Sequence, residues 1–202
     1  MKKDKGAYHH GNLAESLLDA VDEIASQFGL EAVTLRACAK RIGVSPSSAF
    51  RHYSDKRDLL TSFATRALMQ LSRNLAVANT RARQDGDNAL MAVGLAYIAF
   101  AIDNPAFFRA MWNEEIIYAG NDAYVAASEQ LSAHLKGGFA DSIHDTDPAQ
   151  LSVEELLAWS SVHGLASLLV EEVVGRGHSR EYKLNLATRM IRSMAPAFDK
   201  AS

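Results

Sequence analysis

The 202-residue chain has one cysteine, Cys38, and four prolines. A single thiol can neither close an internal disulfide nor hold a metal cluster by itself, which fits a reducing compartment. Long apolar runs are missing too. The stretch beginning at Leu165 is broken by Ser167, Glu171 and Glu172, well short of the roughly 20 residues a bilayer-spanning helix needs. No membrane span is therefore expected. The opening residues, MKKDKGAYHHGN, are basic but lead into an acidic, amphipathic segment rather than an apolar one. No secretory signal is expected, and a cytoplasmic location follows.

Catalytic signatures are equally scarce: the chain has no Gly-rich phosphate loop, no GxSxG, no HExxH and no Cys pair. The Glu pairs at 114–115, 154–155 and 171–172 are adjacent, and at 3.6 residues per turn a helix points such neighbours about 100° apart. His144, His163 and His178 are too scattered for a metal site. Neither an enzyme nor a cofactor is expected. What remains, 48% hydrophobic and 22% charged, is the composition of a folded protein and excludes disorder.

The net charge of −3 argues against a nucleic-acid partner only while it is read as one figure. Residues 33–57 hold Arg36, Lys40, Arg41, Arg51, Lys56 and Arg57 against Asp55 alone, a local excess of five positive charges. Residues 61–202 hold 12 basic and 16 acidic residues. A basic island followed by an acidic remainder predicts two parts with different partners.

Periodicity predicts an all-α fold of about nine helices. Leu13, Leu17, Ala20, Val21, Ile24 and Phe28 recur at three- and four-residue spacing, giving a helix over 12–28 that stops at Gly29. Thr34 is the expected N-cap of a short helix over 35–42, ended by Gly43. Ser45 followed by Pro46 reads as an N-cap with proline at the first helical position, starting a helix through Arg51. Ser54 or Asp55 caps a fourth that runs through Leu71. Further helices are predicted over 89–102, 107–115, 122–139, 153–174 and 180–195, with a polar loop over 144–150.

Two short helices joined at Gly43-Val44 form a helix-turn-helix, whose second helix can enter a major groove with its N-terminal residues at the base edges. Ser45, Pro46, Ser47 and Ser48 are small enough for close approach. Arg51 fits guanine bidentately, Thr34 and Arg36 belong to the phosphate-facing first helix, and Phe50, His52, Tyr53 and Lys56 sit where the chain leaves the groove. The bland alternative is a solvated basic face on a three-helix domain. His9-His10 either follow the DNA or form a mobile terminus. Cys38 reads as core or as a redox sensor.

The run TLRACAKRIGVSPSSAFRHYSDKRDLL resembles the DNA-binding region of the TetR/AcrR family of transcriptional repressors. The likeness covers residues 8–67. Ala39 matches the small residue of the first of the two helices, Gly43-Val44-Ser45 the turn, His52-Tyr53 a His-aromatic pair and Lys56 the start of the next helix. Phe50 stands where the family usually carries an aromatic hydroxyl, so a phosphate hydrogen bond implied by the resemblance cannot form there. Trp159, His163 and Gly164 are similar to a Trp…His-Gly signature of one subgroup. The resemblance implies double-stranded operator DNA as partner, an unknown small-molecule effector bound among the C-terminal helices, and a homodimer. A domain of residues 1–58 would bind DNA, and one of residues 59–202 would bind ligand and dimerise.

Seven of the sixteen aromatics lie between Tyr97 and Tyr124, a density that suits either a pocket for a flat, greasy ligand or a plain helical core. Tyr97, Phe100, Phe108, Met111, Trp112, Tyr124, Trp159 and His163 are the candidate ligand contacts, with Arg109, Asn113, Glu114 and Glu115 as polar groups that could orient a ligand or face water. His163 reads as a ligand contact or as a satisfied core or interface histidine. Leu157, Gly164, Leu165 and Leu168, with the stripe Leu184, Ala187 and Ile191, are the candidate dimer interface, two helices from each protomer forming a four-helix bundle across a two-fold axis.

Overall fold

The computed structural model describes residues 13–137 and 153–198. His9, His10, the first residues of the DNA-binding match and the expected loop over 144–150 lie outside the described residues. Within them the chain forms nine α-helices and no strand, as the periodicity predicts.

Helix α1, Leu13–Phe28, buries Leu17, Leu18, Val21 and Ile24 on one face. A 3-10 turn at Leu30–Ala32 leads to α2, Leu35–Arg41, where the Thr34 hydroxyl accepts the Ala37 N–H at 3.0 Å. Gly43 sits at φ +74°, a conformation nearly closed to residues with a Cβ, and so makes the turn tight. Helix α3, Pro46–Ala49, is shorter than the sequence suggests. After Ala49 the backbone tightens: Arg51 N–H reaches back only to Ser48 O, and His52 and Tyr53 N–H share Ala49 O. The Tyr53 ring is what turns the chain, because it is buried and its hydroxyl donates to Ala14 O of α1 at 3.3 Å.

Asp55 caps α4, Lys56–Asp85, a 30-residue helix about 45 Å long. The expected division after residue 58 falls in its first turn. Helix α5, Ala89–Asp103, capped by Asn88, is apolar on nearly all sides, the mark of a central helix. At Asn104 the chain turns by 107° into α6, Pro105–Met111. Proline is compatible with a first helical position, so Pro105 starts this helix two residues before the expected 107–115 span. No single described helix is long and apolar enough to cross a membrane.

Helix α7, Asp122–Gly137, packs along α4. Helix α8, Val153–Val170, ends four residues before the expected 174. Glu172 adopts φ +54°, and the N–H groups of Val173 and Glu172 turn back onto Leu168 and Leu169, the closing pattern of a Schellman cap. Helix α9, Arg180–Phe198, lies on α5 and α8. Gly94 lets α5 and α9 meet: a Cβ there would stand 3.2 Å from Ile191 Cδ1.

One cluster of buried residues runs from Leu17 in α1 to Ile191 in α9. Phe63 of α4 meets Phe107 of α6 at 4.5 Å between centroids. Arg66 pairs with Asp19 at 2.7 Å while lying over the Phe107 ring. The helix-turn-helix is thus packed onto the body through α4 and α6 rather than hung from it.

Candidate functional site

The helix-turn-helix presents a polar tip. Ser45 Oγ accepts the Ser48 N–H and lies 2.9 and 2.8 Å from the hydroxyls of Ser47 and Ser48. Its own capacity is largely spent on the cap, which leaves Ser47, Pro46, Phe50, Arg51 and His52 as the exposed surface. Arg36 is exposed on the first turn of α2, whereas Thr34 is occupied as its cap. Lys56 Nζ donates to Glu31 O at 3.0 Å, tying α4 to the turn before α2. Tyr53, expected among the DNA contacts, is only 7% exposed and stands in the core. Two of the island's cations are also engaged within the protein. Arg41 meets Gln27 and Glu23 of α1, and Arg57 donates to Ile117 O at 2.6 Å. Cys38 is fully buried, and burial pushes its thiol up to about 11; that is the core reading, since reactivity requires a thiolate.

Arg57 belongs to a joint between the start of α4 and the segment after α6. Its guanidinium lies over the Tyr118 ring at 4.7 Å, the Tyr118 hydroxyl donates to Asp55 Oδ2 at 2.8 Å, and the Tyr118 N–H donates to Thr61 Oγ1. The sequence places Arg57 in the basic island and Tyr118 among the clustered aromatics, but gives neither a role in a joint. A basic residue beside a helix cap reads as a phosphate contact until the fold brings a distant loop to it.

Behind that segment lies a cavity of about 310 Å³ between α5, α7 and α8. Tyr97, Trp112, Trp159 and His163 line it, as expected, and so do Val93, Gly94, Leu131 and Glu155, which were not among the candidate ligand contacts. The Tyr97 hydroxyl stands 2.8 Å from His163 Nδ1. His163 stacks on Trp159 with centroids 5.5 Å apart and meets Trp112 edge-on at 5.3 Å. Burial holds its imidazole below the ordinary histidine range, favouring the neutral ring. Burial likewise raises the Tyr97 hydroxyl far above its usual value, so it stays protonated and shares a hydrogen bond with Nδ1 whose direction follows the tautomer of the neutral ring.

Four candidate ligand contacts stand elsewhere. Phe100 stacks on Phe107 in the core, and Phe108 lies behind His163 at 5.4 Å. Met111 is buried, and its carbonyl accepts the Tyr124 hydroxyl at 3.0 Å. Tyr124 lines a wider opening that shares Trp112, Ser128 and Ser132 with the cavity. Arg109 is turned away, paired with Glu171 at 2.7 Å, and Asn113 and Glu115 do not line the cavity, while Glu114 lines the opening.

The candidate dimer residues divide into two groups. Leu157 and Leu168 are 49% and 41% exposed on α8, and a Cβ on Gly164 between them would meet nothing. Leu165, Ala187 and Ile191 are buried within the protomer, and Leu184 is half-buried. The α9 stripe is covered by the chain's own α5 and α8, so helical spacing marked an apolar face correctly but not what packs on it.

Two family models match this chain. The one described as "Bacterial regulatory proteins, tetR family" matches residues 17–63, and "Tetracyclin repressor-like, C-terminal domain" matches residues 90–194. An uncharacterized HTH-type transcriptional regulator of Bacillus subtilis (strain 168), YobS, is 33% identical over 100 residues, 50% of this chain and 51% of that one. The HTH-type transcriptional repressor KstR of Rhodococcus jostii (strain RHA1) is 30% identical over 186 residues, 81% of this chain and 84% of that one. In fold, the chain is similar to a bacterial regulatory protein in the tetR family from Rhodococcus RHA1, with a TM-score of 0.62 at 21% identity over 88% of this chain and 95% of that one. The paired caps and positive-φ turn of α2 and α3, the two family matches and these relatives agree: the chain belongs to the tetR family of bacterial regulatory proteins and is a helix-turn-helix, DNA-binding transcriptional regulator.

Proposed function

We propose that this regulator is a ligand-responsive repressor that binds a palindromic operator as a homodimer. Residues 1–58 would read the DNA. Residues 59–202 would bind the effector and the partner subunit. The relative named a transcriptional repressor supports the sign of regulation, and the Trp159, His163 and Gly164 spacing supports the Trp-His-Gly subgroup. A regulator of this kind acts on DNA in the cytoplasm and performs no catalysis of its own.

The observation that carries the effector reading is the joint from Asp55 and Arg57 to Ile117 and Tyr118. The segment that seats Trp112 at the cavity is hydrogen-bonded to the first turn of α4, directly after the DNA-reading tip. A ligand that displaces Trp112 therefore pulls on the helix-turn-helix. It releases DNA only if it binds the released arrangement better, a tenfold bias needing about 1.4 kcal/mol of differential affinity.

The exposed stripe of Val153, Leu157, Gly164 and Leu168 on α8 supports dimerisation, because small and apolar residues at helical spacing let a second copy approach closely. In the dimer the two α3 tips would stand about 34–36 Å apart, one turn of DNA, or a multiple of it. Selection of bound fragments from random duplex DNA tests the reading. An enriched inverted repeat with that half-site spacing supports it; recovery of no preferred sequence would favour a helical small-molecule-binding protein with weak or lost DNA affinity.

A further inference from the structure

We propose that the ligand of the α5–α7–α8 cavity is an organic cation: a protonated amine or quaternary ammonium on a flat or apolar body. The proposal rests on the effector reading above and adds the charge class of the effector. Its basis is the charge of the lining. Among the residues whose side chains are described, Glu155 is the charged residue at the cavity, and Glu114 and Glu129 are those at the opening that shares Trp112, Ser128 and Ser132 with it. Among the described residues neither space is lined by a lysine or an arginine. His163 adds no positive charge, because burial favours its neutral form.

Three carboxylates along one route raise the local concentration of cations and repel anions. Inside, the faces of Trp112, Trp159 and Tyr97 offer a ring quadrupole to a positive charge. Glu155 is buried and already takes part in an interaction within the chain. A carboxylate has about four lone-pair sites, so it still has acceptor capacity for an ammonium group. An anion of the same size would be desolvated beside a buried carboxylate and repelled by it. A neutral hydrocarbon would fill the aromatic walls and gain nothing from Glu155.

The test uses the full chain and three bicyclic probes of matched size: 1-methylquinolinium, 1-methylnaphthalene and 1-naphthoate, followed by tryptophan fluorescence and calorimetry. Expected is binding of 1-methylquinolinium about tenfold or more tighter than 1-methylnaphthalene, with 1-naphthoate weakest. Glu155→Gln should remove most of the cation's advantage while 1-methylnaphthalene binds as before. Glu129→Gln, at an exposed position on α7, should slow association of the cation at low salt and not at high salt, which keeps the proposal testable should the Glu155 variant misfold. Equal or tighter binding of the neutral or anionic probe overturns the proposal and leaves the effector cavity standing. If none of the three binds, or binding is indifferent to Trp159→Ala, the effector reading falls and the proposal with it.

Discussion

The Tyr118 hydroxyl donates to Asp55 Oδ2 at 2.8 Å while Asp55 Oδ1 accepts the Asp58 N–H that begins α4. One carboxylate both caps the longest helix and holds the segment leading from the cavity. The two roles separate by mutation. Asp55→Ala removes both and should cost about 1 kcal/mol of stability, the usual worth of an N-cap. Tyr118→Phe leaves the cap, so its melting temperature should stay near that of the parent. The same donors, Asp58 N–H foremost, hold the Asp55 carboxyl below its usual range. Its contribution is therefore complete above the ordinary carboxylate pKa, about 4, and fades as pH falls through the lower folded value. Acid melts of the parent and Asp55→Asn should diverge above that window and converge below it.

Arg51 and Lys56 should fail in different ways. Arg51 is exposed beside the α3 tip, and Arg51→Ala should cost about 1–3 kcal/mol on the preferred site and flatten sequence preference. Lys56→Ala should weaken binding to all sequences alike and reduce the salt slope by about one. Gel shifts over a salt series distinguish the two, and no change in either would count against α3 as the reader.

Tyr53 supports α3 from behind. Tyr53→Phe loses one hydrogen bond to Ala14 O and should cost about 0.5–1.5 kcal/mol with DNA affinity retained. Tyr53→Ala, which empties a buried site, should cost about 3–5 kcal/mol. A large affinity loss in the folded Tyr53→Phe protein would show that the hydroxyl reaches DNA after all.

His163 predicts a pH dependence of stability. Its folded pKa is depressed by burial, so the unfolded chain takes up the proton first as pH falls. Stability is then complete above the ordinary histidine value, about 6.5, and declines as pH drops below it toward the folded value. Thermal melts between pH 7.5 and 5 should show this decline in the parent and less of it in His163→Gln. A decline as steep in the variant as in the parent would show that a group other than His163 carries the titration.

Leu157→Glu and Leu168→Glu place charge on the exposed stripe of α8. Both should shift sedimentation from dimer to monomer and leave the far-ultraviolet helix signal unchanged. Dimers that persist through both changes would move the interface elsewhere.

Local chemistry was legible in the sequence, and partnership was not. Thr34 and Ser45 cap the helices they were expected to start, and of the pair Ser54 and Asp55 it is Asp55 that caps the fourth, because a cap depends on a side chain and a backbone N–H three residues away. The end of α8 was missed because Glu172 adopts the left-handed conformation that usually announces itself as glycine. Ile191 and Ala187 have the spacing of an interface stripe, yet periodicity says only that a face is apolar, and α5 covers it. The cavity wall was half visible: Trp112, Trp159 and His163 stood out by type, while Val93 and Leu131 look like any core residue. Gly94 was the one overlooked signal, an isolated glycine in an apolar helix that marks a close approach.

Coupling between the cavity and the DNA-reading tip is the centre of this account, and operator affinity under ligand tests it most directly. The dissociation constant for the selected inverted repeat should be measured at saturation with whichever of 1-methylquinolinium, 1-methylnaphthalene and 1-naphthoate binds tightest, in the parent and in Tyr118→Phe. The account predicts a loss of about tenfold or more in the parent and a much smaller loss in Tyr118→Phe, where the Asp55 contact is cut. Unchanged operator affinity in the parent at saturating ligand would contradict it.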